Sequence, residues 1–71
     1  MAIMAIITVN GEKMSLERET MTVREVLTVK NWSFPLIIVK INGELVHRGA
    51  WDEASLRDGD VMEAIHLVSG G

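Results

Sequence analysis

Two Asn-Gly pairs constrain this chain more than any other feature. Asn10-Gly11 follows the β-branched and apolar run from Ile3 to Val9, and Asn42-Gly43 follows the run from Leu36 to Ile41. Asn-Gly supplies the positive φ angles that a two-residue type I′ hairpin demands, so each pair predicts a strand reversing into its antiparallel neighbour. The first hairpin returns from Glu12 to Leu16, the second from Glu44 to Val46. By the period of two, Ile3, Ala5, Ile7 and Val9 share one face of the first strand and offer it a buried side, with Met4, Ile6 and Thr8 opposite. The Leu36–Ile41 run is the most continuous apolar stretch and reads as the central strand.

One helix is legible between the hairpins. Across Thr20 to Glu25 the chain reads as a helix start, in which Thr22 caps the free N–H groups and Glu25 reaches back to the Thr22 N–H as a capping box. Val23, Val26 and Leu27 then fall on one helical face. Two to three turns are too few to persist alone, so this helix must lie on a sheet. Asn31 ends it, and Pro35 biases Phe34 away from the α region. His47 to Arg57 is of mixed character around Trp51. Asp58-Gly59-Asp60 is a turn signal leading into a last strand from Val61 to about Val68.

The order strand, strand, helix, strand, strand, strand places one helix on one face of a small mixed sheet, an α+β architecture. If the last strand inserts beside the first, both run parallel in the middle of a β-grasp sheet, which periodicity alone does not decide. With 71 residues there is room for one domain, residues 1–71, with a flexible C-terminal tail over 69–71. A 48% apolar and 24% charged composition is that of a folding chain.

Composition also removes whole classes of function. Ten acidic against seven basic residues give a net charge of −3, which disfavours nucleic acid as a partner. Apolar runs such as Pro35 to Val39 are far shorter than the roughly 20 residues of a membrane span. No signal-peptide pattern opens the chain, so a cytoplasmic location is expected. With no cysteine, thiolate metal sites, thiol nucleophiles and side-chain sulfur handling are all excluded.

The remaining candidates for chemistry have structural readings. His47 and His66 lack metal-ligand spacing, and Asp58 and Asp60 are what a tight turn asks for. Ser15, Ser33, Ser55 and Ser69 have no base in any motif. Trp32 and Trp51 read as packing residues, and the methionines as gap fillers and surface residues. A single helix on one sheet rarely encloses a catalytic cleft, so an enzyme is not expected.

The chain's end is different. Gly70-Gly71 makes a thin thread without side chains, able to carry a terminal carboxylate into a narrow channel of another protein. With a pKa of about 3.3 to 3.7 that carboxylate is anionic and a poor electrophile. Adenylation by ATP would neutralise it and install a leaving group, after which sulfur could attack to leave a thiocarboxylate. Since the chain has no thiol, the sulfur must come from outside.

These residues resemble a known family. Val39-Lys40-Ile41-Asn42-Gly43-Glu44-Leu45-Val46, Arg48, Trp51, Leu56, Asp58-Gly59-Asp60 and Gly70-Gly71 are similar to the ubiquitin-like sulfur carrier proteins of thiamine (thiazole) biosynthesis. Val9-Asn10-Gly11-Glu12 and the Thr22 to Leu27 helix start resemble them too. The resemblance implies a β-grasp fold and a modified Gly71, with Ser69 and Gly70 forming the rest of a tail that enters a partner's tunnel. It also implies as partners a ubiquitin-activating-type adenylating enzyme, thiazole synthase and a sulfur donor such as a cysteine desulfurase. ATP and the donor are used by the partner; no cofactor is bound. His47 stands where the family usually has proline, and Ala64 is small for the last strand.

Related readings share the terminus. The small subunit of molybdopterin synthase typically has prolines shortly before its glycines, and His66-Leu67-Val68-Ser69 has none, which favours the thiamine reading. A ubiquitin-like modifier, a carrier for transfer-RNA thiolation and a plain interaction module are the other classes. Candidate docking residues are Arg48, Ile65 and Leu67. If Met62 and Ala64 point inward, Ile65 and Leu67 turn outward beside the tail; both faces of the last strand are largely apolar, so the pattern allows either register.

Overall fold

The computed structural model describes residues 3–33 and 36–67. Phe34, Pro35, Val68 and the tail residues Ser69, Gly70 and Gly71 lie outside them. Among the described residues, β1 (Ala5–Val9) and β2 (Glu12–Leu16) form the first hairpin, and β3 (Thr20–Thr22) leads into α1 (Val23–Val29). After the helix come β4 (Ile37–Ile41) and β5 (Glu44–Val46), a 3-10 turn at Arg48–Ala50, then β6 (Ser55–Arg57) and β7 (Val61–His66).

Both Asn-Gly pairs turn the chain as their chemistry requires. Asn10 and Gly11 have φ of 50° and 83°, and Asn42 and Gly43 have 51° and 85°. The left-handed region tolerates Asn better than most side chains and Gly without penalty. Asn31, at φ 60°, ends the helix in the same way.

The five-stranded sheet has the order β2-β1-β7-β4-β5. β7 lies parallel to β1, with Val9 opposite Met62, and antiparallel to β4, with Val39 opposite Ala64. The last strand therefore does insert beside the first. It also takes the middle of the sheet, which corrects the reading of Leu36–Ile41 as central: β4 is internal, with β7 and β5 on its two sides, but one place off the middle.

At the helix start, Thr22 is the N-cap: its Oγ1 accepts from the Glu25 N–H at 3.1 Å, and Glu25 Oε1 accepts from the Thr22 N–H at 3.0 Å. The residues before it are not helical. Thr20–Thr22 pair antiparallel with Ser55–Arg57 as a separate two-stranded ribbon, which the helix-start reading of Thr20 onward did not contain. A three-residue strand is too short to show a period, and its partner lies in a distant part of the chain.

The core lies between the sheet and the helix. Ala5, Ile7 and Val9 of β1, Leu16, Val39 and Met62 from the neighbouring strands, Val23, Val26 and Leu27 of α1, and Trp51 and Leu56 are all buried. Ile3 departs from the expected buried face and is 61% exposed. Leu16, the last residue of β2, is opposite Ala5, so Ile3 lies past the paired part of the hairpin and has no cover.

Candidate functional site

The last described stretch of chain fixes where the tail begins. β7 is held by β4 from Ile41 opposite Met62 to Ile37 opposite His66, and the Leu67 N–H donates to the Leu36 carbonyl at 2.9 Å. Sequence periodicity left the register of this strand open; the structure settles it. Met62 is fully buried and Ala64 half-buried against the core, while Val61, Ile65 and Leu67 are exposed. Leu67 is four residues from Gly71.

Ile65 and Leu67 belong to an apolar stretch on the face of the sheet opposite the helix. Ile38 lies across from Ile65, and exposed Leu36 lies beside Leu67, whose N–H bonds its carbonyl. Further along this face, Leu45 pairs with Lys40, Lys40 pairs with Glu63, and Ile6 and Val61 are exposed on β1 and β7. Contiguous exposed apolar side chains are the ordinary mark of a surface that another protein covers.

Arg48 is placed differently. Its guanidinium carbon lies 4.8 Å from the centroid of the Trp51 ring, and that of Arg24 lies 5.4 Å from it. Trp51 is itself buried in the core, with its Nε1–H donating to the Val46 carbonyl at 3.2 Å. Arg24 also bonds Asp52 Oδ1 at 3.1 Å. Arg48 thus packs on a residue of the helix side, and the structure does not gather it with Ile65 and Leu67. Trp32 packs against the core under the Lys30 ammonium, 5.9 Å from its ring.

The two turn aspartates clip strands together. Asp58 Oδ1 accepts from the Ile6 N–H at 2.8 Å. Asp60 accepts from the Arg57 N–H at 3.0 Å through Oδ2 and from Asn42 Nδ2 at 3.1 Å through Oδ1. His47 and His66 are exposed at separate positions, one before the 3-10 turn and one at the end of β7. Among the described residues no group of three or more His, Asp or Glu is arranged to hold a metal ion. The Thr22 N–H, and after it the Arg18 guanidinium, hold the Glu25 carboxyl below the usual carboxylate range.

A mixed sheet with two parallel central strands, a hairpin on either side and one helix across a single face defines a β-grasp, ubiquitin-like protein. A model of the ThiS family matches residues 5–71, and the chain belongs to that family. It is 31% identical over 62 residues to the sulfur carrier protein ThiS of Bacillus subtilis (strain 168), an alignment spanning 87% of this chain and 94% of that one. The crystal structure of the thiamine biosynthesis protein ThiS from Geobacter metallireducens superposes with a TM-score of 0.80 at 31% identity, covering 93% of this chain and 99% of that one. The solution structure of a thiamine biosynthesis protein from the same organism gives 0.72 at the same identity, over 93% and 87%. The chain is a sulfur carrier of thiamine biosynthesis, not an enzyme.

Proposed function

We propose that the sulfur is carried on the C-terminal carboxylate of Gly71. The family match, which runs through Gly70 and Gly71, supports this reading: neither residue has a side chain, so a C-terminal carboxylate is the reactive group they can present. A carboxylate oxygen attacks the α-phosphorus of ATP and pyrophosphate leaves, giving an acyl-adenylate. The outer sulfur of a donor persulfide then attacks the acyl carbon and AMP leaves, giving an acyl disulfide. A thiol supplied by a partner enzyme or a thiol reductant attacks the donor-side sulfur of that S–S bond, releasing the thiocarboxylate and leaving a disulfide. ATP, donor and catalytic groups all belong to partner enzymes. The carrier contributes a slender Ser69-Gly70-Gly71 thread and a body to dock.

ThiS carriers work with partner enzymes in thiamine biosynthesis. For this chain the partners we propose are a ubiquitin-activating-type adenylating enzyme, a cysteine desulfurase as sulfur donor, and thiazole synthase as acceptor, all in the cytoplasm. No helix among the described residues is long and apolar enough to cross a membrane. The face bearing Ile65 and Leu67 is the proposed docking surface, since it is exposed, apolar and continuous with the strand that leads to the tail.

Mass spectrometry after incubation with the adenylating enzyme, ATP and a sulfur donor tests this. The expected product is the intact chain with one oxygen exchanged for sulfur on the C-terminal peptide. Deleting Gly71 or adding one residue after it should abolish the exchange and leave a thiazole-requiring strain unrescued. Sulfur found elsewhere on the chain, or normal rescue by either variant, would overturn the assignment.

A further inference from the structure

The backbone ladder between β1 and β7 stops at Val9 opposite Met62, with one more bond from the Asn10 N–H to the Met62 carbonyl at 3.0 Å. In a continued parallel strand the carbonyl of residue 10 would next accept from the Ala64 N–H, and the N–H of residue 12 would donate to the Ala64 carbonyl. Here the chain has already turned away at Asn10-Gly11. The Asn10 side chain takes both places: Oδ1 accepts from the Ala64 N–H at 2.8 Å and Nδ2 donates to the Ala64 carbonyl at 3.1 Å. A carboxamide carries the same donor and acceptor as a peptide unit, so it replaces a missing rung atom for atom.

Asn42 occupies the matching position in the other hairpin but holds the opposite end of β7. Its Oδ1 accepts from the Val61 N–H at 2.9 Å, and its Nδ2 donates to Asp60. The two turns thus grip one strand at two points, and of these Asn10 holds the one nearer the tail.

Resting on the carrier reading above, we propose that Asn10 is a positioning residue for modification of the C-terminal carboxylate. By fixing Ala64 on the β1 side it steadies, from the side that β4 does not cover, the strand that β4 alone then holds on to Leu67. Asn10 touches no reacting atom. Its effect is on the fraction of molecules whose exit strand is in place when a partner docks, and an unready fraction appears as weaker apparent binding rather than slower chemistry.

Asn10→Gly and Asn42→Gly separate this role from simple stability. Glycine suits both φ angles, and Gly-Gly still forms the type I′ turn, so each substitution deletes one side-chain grip without straining the backbone. In N10G the Ala64 amide should exchange with solvent about tenfold faster or more, having lost its acceptor. The KM of the carrier for the adenylating enzyme should rise by about threefold or more at unchanged kcat. N42G should keep the wild-type KM even where its melting temperature falls as far. If N10G does not fold, Asn10→Asp makes the same comparison, since it keeps the acceptor for the Ala64 N–H and loses the donor. A KM in N10G or N10D equal to that of N42G overturns the inference. A wild-type chain that takes up no sulfur at all overturns the carrier reading and this inference with it.

Discussion

Met62 and Ile65 sit three residues apart on one strand and face opposite ways, so they test the assignment of the sheet's two faces. Met62 is 0% exposed, whereas Ile65 and Leu67 are 42% and 43% exposed. Fully burying a large aliphatic side chain is worth about 1.5–3 kcal/mol, so each of the two outward residues has gained roughly 1 kcal/mol on folding and keeps about 1 kcal/mol to gain on docking. Truncating Met62 to Ala removes a buried side chain and leaves a cavity, at about 2–5 kcal/mol. A domain of this size has about 4–10 kcal/mol in total, so M62A should lose a large share of its stability. Ile65→Ser or Leu67→Ser should each lower the melting temperature by only about 4–8 °C. Together the two serines should weaken binding to the adenylating enzyme by about 30-fold, the equivalent of about 2 kcal/mol. Thermal denaturation by circular dichroism gives the first quantity, and titration calorimetry well below the melting point gives the second. If I65S or L67S destabilises as much as M62A, the outer face is core and not a docking surface. Wild-type affinity in a folded double variant would equally refute the reasoning.

Other outcomes follow from the same contacts. Thr22→Ala removes the helix cap and should cost about 1 kcal/mol in denaturant unfolding, with Thr22→Ser close to wild type. Glu25 has its pKa lowered on folding, so its bonds stabilise fully above the ordinary value of 4.5 and fade as pH falls through the lowered folded value. The melting-temperature gap between wild type and Glu25→Gln should therefore close on acidification from neutral pH, and a gap that widens would contradict the assignment. Leu56, fully buried on β6 at the junction of the ribbon and the main sheet, should cost about 2–5 kcal/mol as Ala, measured by urea unfolding.

What could be read from the chain follows how far apart the interacting residues are. Asn10-Gly11 and Asn42-Gly43 specify their turns within two residues, and Thr22 with Glu25 specifies the helix start within four. Val23, Val26 and Leu27 declare their common face by spacing alone. The β3–β6 ribbon, by contrast, joins Thr20 to Arg57 and Thr22 to Ser55, and nothing in either short segment points to the other. The position of β7 is likewise set by pairing with residues far back in the chain, Val9 opposite Met62. Its register was ambiguous because Met62 and Ala64 on one side and Val61, Ile65 and Leu67 on the other are all apolar; only the helix over one face decides between them. The tail residues Ser69, Gly70 and Gly71 lie outside the described residues, and their reading rests on the sequence alone. The placing of Arg48 on Trp51 was not legible, because a residue pair that marks a family does not state which face it serves.

A carrier that brings no catalytic group can influence its reaction only through where and how steadily it presents the group it carries. That makes the middle of the sheet a physically sensible place for the strand leading to the terminus. β7 is paired on both sides, antiparallel to β4 as far as Ile37 opposite His66, and to β1 and then the Asn10 side chain as far as Ala64. An edge strand would keep one ladder and could fray by losing it; β7 must lose two. Its inward face is locked by Met62 at no exposure, while Ile65 and Leu67 on its outward face stay exposed. The same strand thus divides its residues by parity: even positions from Met62 to Ala64 hold the fold, while odd positions from Val61 to Leu67 face outward. A one-residue slip of β7 would exchange the two sets, taking Met62 from the core and turning Ile65 and Leu67 inward. Asn10 and Asn42, gripping the strand at two separate points, oppose that slip directly.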